Sequence, residues 1–140
     1  MTEALQETIE TFESVDPAIR LDLLLDYARS LPPLPQSLHE ARDQGLGRVT
    51  ECQSPVFLYP QVQDGAVHID AFVPSEAPTA RGLVSLLAQT LEGATPEQVA
   101  AVPDDLLYRL GLAQQLGMMR QQGLAATIAR LKHGVAEAAG

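Results

Sequence analysis

The sequence predicts an α+β domain in which helices pack on one side of a small antiparallel sheet of about three strands. Three observations carry this expectation. Apolar residues recur at helical spacing near both ends of the chain: Leu5, Ile9 and Phe12 at one end, and Leu124, Ile128, Leu131 and Val135 at the other. Between them, residues 56–63 and 66–73 meet at Asp64-Gly65, a pair that supplies the positive φ angles a two-residue hairpin turn requires. Prolines and glycines punctuate the edges of these stretches without dividing the chain, so one domain over residues 1–140 is expected.

The elements follow in order. Leu5, Ile9 and Phe12 give the first helix its apolar stripe. Asp16 before Pro17 reads as an N-cap and first-turn pair, opening a leucine-rich helix from about Ala18 to Leu31 that Pro32 and Pro33 stop. Pro32 to Leu46 reads as an ordered crossing segment. Arg48 to Thr50 is expected to add a third strand to the hairpin. In the second hairpin strand Val67, Ile69, Ala71 and Val73 alternate with Ala66, His68, Asp70 and Phe72, so one face is expected to be buried. Ser75 reads as the cap of a helix running through Leu83, Leu87 and Leu91 to Gly93. Thr95-Pro96-Glu97-Gln98 is a capping box with proline at the first helical position. A short helix from Asp104 to Leu112 ends near Gly111, and the stripe from Leu124 to Val135 defines the last helix.

Lys and Arg number 9 against 18 Asp and Glu, a net charge of −9. That balance repels phosphate backbones and anionic lipid surfaces, so neither nucleic acid nor a membrane is expected as a partner. The acidic start, Met1 to Glu7, lacks a basic region followed by an apolar run, and no segment approaches the roughly 20 apolar residues of a membrane helix. A cytoplasmic protein is therefore expected. The single cysteine excludes an internal disulfide, and His39, His68 and His133 show no ligand spacing, so no metal site is expected.

That cysteine, Cys52, stands where a polar loop runs into an apolar strand, in Glu51-Cys52-Gln53-Ser54-Pro55-Val56-Phe57-Leu58. Buried, inert cysteines are common, so the residue alone says little. Its neighbours say more. The segment Val49 to Leu58 resembles the active-site segment of the SufE family of sulfur-acceptor proteins. The resemblance continues through Tyr27 to Pro32, through Arg81-Gly82-Leu83 at the start of the family's central helix, and through Arg120-Gln121-Gln122-Gly123-Leu124. Pro55, Gln115 and Gly117-Met118-Met119 depart from the family pattern.

The resemblance implies a SufE/IscU-like fold and a function in transpersulfuration. A pyridoxal-phosphate cysteine desulfurase of the SufS type loads sulfur onto its own cysteine, and Cys52 would take the outer sulfur as a persulfide, stimulate the desulfurase and pass the sulfur on for iron–sulfur cluster assembly. Such a protein is a partner in catalysis and not an independent enzyme. It needs no cofactor of its own, since the pyridoxal phosphate belongs to the desulfurase. An iron–sulfur scaffold complex is a further partner the resemblance implies. Cys52 would be the catalytic thiol; Glu51, Gln53 and Ser54 would support its loop. Glu76, Arg81, Gly82 and Arg120 would serve partner binding, with Glu76 and Arg120 beside the cysteine. The competing expectation is a non-catalytic module that regulates a desulfurase or scaffolds a complex.

Overall fold

The structure, a computed structural model, describes all 140 residues. Seven α-helices surround one hairpin: α1 (Glu3–Glu13), α2 (Pro17–Arg29), α3 (His39–Asp43), β1 (Phe57–Gln63), β2 (Ala66–Phe72), α4 (Pro78–Thr90), α5 (Pro96–Ala100), α6 (Leu106–Arg109) and α7 (Met118–Ala139). Single 3-10 turns at Gln36–Leu38 and Ala113–Gln115 precede α3 and α7. No helix is long and apolar enough to cross a membrane.

The hairpin turns at Asp64 and Gly65, whose φ angles of 53° and 77° are the left-handed pair a tight turn of this kind demands. Its register pairs Leu58 with Ala71, Pro60 with Ile69 and Val62 with Val67 on one face. That face meets α7 and α4. Gly134 of α7 lies so close to Pro60 that a Cβ there would stand 2.7 Å from the proline ring. On the opposite face Phe57 and Phe72 pair at 6.0 Å between ring centroids. The Arg42 guanidinium, from the short helix α3, lies 4.7 Å over the Phe72 ring, and that of Arg48 lies 5.8 Å over Phe57.

The core is continuous through the helices. Leu83, Leu86, Leu87 and Leu91 of the α4 region pack against Leu24 of α2, and Leu124, Ile128, Leu131 and Val135 present the expected stripe of α7. Gly82 allows α4 to approach α2 closely, since a Cβ there would sit 2.3 Å from the Leu24 carbonyl oxygen. Thr2 ties the chain start to α4 by accepting from the Leu5 N–H and donating to the Thr90 carbonyl at 2.8 Å. The Thr95 capping box forms in both directions, with the Gln98 side chain accepting from the Thr95 N–H.

Four expectations change. The sheet has two strands, because the third is reduced to one bridge, Arg48 opposite Phe57. Gly47, at φ 81°, turns the chain away on one side and a turn at Thr50-Glu51 does so on the other. The Pro32–Leu46 segment contains the 3-10 turn and α3, hidden in the sequence by its three prolines. Helix α2 ends at Arg29, with Ser30 as its C-cap, two residues before Leu31. Ser75 does not cap α4: its hydroxyl donates to Glu76, and the helix starts from Ala77 with Pro78 in the first position.

Candidate functional site

Cys52 lies on the loop joining Val49 to Val56. The loop is pinched at its base, where the Val49 N–H donates to the Val56 carbonyl at 2.9 Å, and both valines are buried. Above the pinch the backbone holds itself by only two bonds: Cys52 N–H to Val49 O at 3.2 Å, and Val56 N–H to Ser54 O at 2.9 Å. The cysteine side chain is turned inward and only 5% exposed. It joins the main apolar cluster, which matches the hydrophobic character of a buried thiol.

What it rests on is Gly123, in the second turn of α7. A Cβ at that position would stand 3.3 Å from both Cα and Sγ of Cys52. Seven residues further along the same helix face, Arg130 reaches the loop from the other side. It donates to a Glu51 carboxylate oxygen at 3.3 Å and to the Arg48 carbonyl at 3.4 Å. The Glu51 carboxyl is held below its ordinary value, first by its own backbone N–H and then by the Thr50 hydroxyl and Arg130, against an opposing effect of desolvation. Thus α7 seats the loop with a glycine under the thiol and an arginine beside its base.

In front of Cys52 opens a cleft of about 700 Å³. Gln53 and Ser54 edge it on the loop side, the turn from Glu76 into α4 forms the facing wall, and the start of α7 closes the third side. Met118 and Met119 stand 73% and 64% exposed there. Both occupy the first turn of α7, where the chain emerges from buried Leu116. Gly117 offers no side-chain cap, so the first-turn amides of α7 keep the partial positive charge of a helix start beside the cleft.

Arg120 is distinctive among the cations. Of the nine Lys and Arg side chains, carboxylates hold Arg29, Arg42, Arg109, Arg130 and Lys132, carbonyls hold Arg20 and Arg81, and Arg48 lies over a ring. Arg120 alone has no partner within the protein, and it lines the cleft.

The structure therefore gathers Cys52, Gln53, Ser54, Glu76 and Arg120 around one opening. Glu51 lies outside it, on the loop's flank with Arg130. Arg81 and Gly82 lie behind its facing wall, in the seam between α4 and α2. There Arg81 donates to the carbonyls of Ala28, Val73 and Leu31 at 2.7, 2.5 and 3.4 Å. Sequence reasoning passed over Gly123 and Arg130 as site residues. A glycine inside a helix costs about 1 kcal/mol against alanine, so Gly123 carried a signal of close approach; Arg130 carried none. The histidines are engaged elsewhere: His39 with the Leu34 carbonyl, His68 with Glu92 and Asp70, and His133 with Glu137.

A solved structure shares this arrangement of elements, and curated proteins share the sequence. A solution structure of a hypothetical protein from Thermus thermophilus superposes with a TM-score of 0.85 at 35% identity, over 99% of this chain and 98% of that one. A SufE-like protein of Mycobacterium tuberculosis is 38% identical over 135 residues, which span 96% of this chain and 92% of that protein. The sulfur acceptor protein CsdE of Escherichia coli is 34% identical over 105 residues, 74% of this chain and 67% of that protein. The family model SufE, described as an Fe-S metabolism associated domain, matches residues 6–135. Because that family model spans nearly the whole fold described above, the cysteine loop and its seat on α7 included, the chain belongs to the SufE family.

Proposed function

We propose that this protein is a sulfur acceptor: Cys52 takes the outer sulfur of a persulfide from a SufS-type cysteine desulfurase, stimulates that enzyme by clearing it, and passes the sulfur on for iron–sulfur cluster assembly. The observation that carries this reading is the seating of the only thiol, buried at a cleft on a loop anchored chiefly at its base. Family membership and the sulfur-acceptor name of its relative CsdE support it.

The chemistry asks little of the acceptor. The Cys52 thiol loses its proton, and the thiolate attacks the outer sulfur of the partner's persulfide. A bond forms from Sγ to that sulfur while the bond to the partner's cysteine breaks, and the electron pair leaves as the partner's thiolate. Nothing is oxidised or reduced overall. The pyridoxal phosphate that releases the sulfur belongs to the desulfurase. This chain contributes the thiol, a loop able to present it, and a buried resting position that keeps the persulfide from passing thiols. Arg120, unpaired at the rim, offers its forked donors to a carboxylate or carbonyl of the partner. Glu76 offers a carboxylate across the same opening.

Incubation with a SufS-type desulfurase and free cysteine tests this directly. Intact-mass measurement should show wild-type protein gaining one sulfur atom and Cys52→Ala gaining none, with stimulation of the desulfurase lost. Because the thiol packs in the core, Cys52→Ala also costs about 1 kcal/mol of stability. Full stimulation by Cys52→Ala would sink the acceptor reading and leave a non-catalytic regulatory module.

A further inference from the structure

We propose that the free edge of β2, at Ile69 and Ala71, is a docking site where an extended peptide of a partner protein adds a strand, one that alternates small apolar side chains with Lys or Arg. The groove beside this edge shares no lining residue with the cleft at Cys52, so it is independent of the acceptor reading. Backbone groups alternate in direction along a strand, so one residue fixes the rest. Val67 turns its backbone away from β1: its N–H donates to the Ala94 carbonyl and its own carbonyl accepts from the Gly93 N–H, both at 2.8 Å. Ile69 and Ala71, two and four residues on, turn the same way, as does Val73, whose carbonyl accepts from Arg81. Between these two anchored points the edge is bare. Nothing in the protein bonds to the N–H or C=O of Ile69 or Ala71, although the two residues are only 6% and 4% exposed. Buried backbone groups are rarely left without a partner.

Two adjoining hollows of about 330 and 370 Å³ lie along this edge, and the Leu31-Pro32-Pro33 segment walls both. That segment cannot act as the missing strand, because its prolines have no N–H to donate and the Leu31 carbonyl already accepts from Arg81. The groove between it and β2 suits a single extended chain. A second copy of this protein fits less well, since its own β2 edge carries the same wall and the two walls would meet before the edges did. The lining sets the side chains of the peptide. On the core side Ala71 and Ala88 are small and admit small apolar residues. On the other face the carboxylates of Asp70 and Glu92 stand at one end of the groove, and the chain carries a net charge of −9, so a cation is the complement there. The cations at the far end are already committed, Arg42 to Asp43 and the Phe72 ring, Arg81 to its carbonyls. Main-chain bonds then supply affinity and the alternating side chains supply choice.

The probe is a blocked eight-residue peptide of alternating Lys and Val, titrated into isotope-labelled protein while amide shifts and hydrogen exchange are read residue by residue. In the free protein the Ile69 and Ala71 amides should exchange faster than those of His68 and Asp70, which face β1. The peptide should shift and slow the Ile69 and Ala71 amides. A copy N-methylated on every backbone amide keeps the side chains and charge but loses the ladder donors, and should bind about tenfold more weakly, equivalent to about 1.4 kcal/mol. Glu92→Lys should weaken the Lys-Val peptide several-fold, and a Glu-Val peptide should not bind. Equal binding by the methylated copy overturns the proposal, because charge alone then explains the contact. Absence of any shift at Ile69 and Ala71 with the peptide at millimolar concentration overturns it as well. So does protection of these two amides in the free protein equal to that of His68 and Asp70, which would mean the edge is already satisfied. Protection that grows with protein concentration alone would make the edge a seam between copies and likewise end the peptide reading.

Discussion

Two seams in this molecule are built from the same parts, a helical glycine and nearby arginines, and they do opposite things. Where α4 crosses α2, Gly82 faces the Leu24 carbonyl and Arg81 spends its donors on three more carbonyls. Everything opposite the glycine is a residue of helix α2, so nothing there can move freely. Where α7 meets the Cys52 loop, Gly123 faces a thiol and a loop Cα, Arg130 touches the loop's flank, and Arg120 has no partner. The first seam is framework and positions the wall of the cleft. The second is the site. A glycine and an arginine carry no functional meaning of their own; what stands across from them decides it.

The largest effect should come from breaking the rigid seam. Gly82→Ala brings a methyl group within 2.3 Å of a carbonyl oxygen that belongs to α2, and the two helices must separate. The loss should be about 3 kcal/mol, visible as a cooperative fall in Tm. A Tm like that of wild type would show the α2–α4 seam to be as yielding as the loop and would dissolve the contrast. Arg81→Ala comes next. It leaves the Ala28, Val73 and Leu31 carbonyls without their charged donor and should cost about 2 kcal/mol, measured by denaturant unfolding.

On the soft seam the order of effects reverses, with function falling and stability holding. Arg120→Ala removes a side chain without a polar partner in the protein, so stability should stay within about 0.5 kcal/mol of wild type. Desulfurase stimulation should nonetheless weaken several-fold, and Arg120→Lys should rescue it only in part, since an ammonium lacks the fork. The proper control is Arg29→Ala, whose guanidinium pairs with Asp26 on an exposed surface. Lys132 is unsuitable as a control, because it donates to the Val102 carbonyl at 2.7 Å and to Asp104 at 3.0 Å. Equal titration curves for Arg120→Ala and Arg29→Ala would reduce Arg120 to an ordinary surface charge.

What the sequence revealed and what it hid divide along the same line. Local chemistry was legible. Asp64-Gly65 marked the hairpin, Thr95-Pro96-Glu97-Gln98 marked α5, and the Leu124-to-Val135 stripe marked α7, because each signal lies within a turn or two of the structure it causes. The third strand failed because pairing depends on how far two segments stay side by side in space, and Gly47 bends the chain after one bridge. Helix α3 was masked by the prolines ahead of it, since a proline-rich approach does not forbid a helix after it. The cysteine loop was legible through its resemblance to a family. Its support was not: a glycine inside a helix signals a close approach without saying what approaches, and Gly123 and Arg130 stand some seventy or more positions from the residues they hold.

The smallest predicted effect concerns a region remote from both seams. His68 of β2 lies between two carboxylates: Nδ1 is 2.8 Å from Glu92 and Nε2 is 3.1 Å from Asp70, while Gln61 of β1 donates to the other Asp70 oxygen at 2.7 Å. The hydrogen bond with Glu92, more than that with Asp70, raises the imidazole above its ordinary value of 6.5, and partial burial opposes this. A histidine with a raised folded-state value stabilises the fold fully below its unfolded-state value, and that contribution is lost as pH rises through the folded-state value. The side chain is half exposed, which screens the effect and keeps it small. Between about pH 6 and about pH 8, Tm should therefore fall slightly more for wild type than for His68→Gln. Cys52 alkylation should run at the same rate in both at each pH, because the thiol's loop shares no contact with this cluster. A His68→Gln variant that changed the alkylation profile would couple the far end of the hairpin to the loop and end the picture of a site whose mobility is confined to one seam.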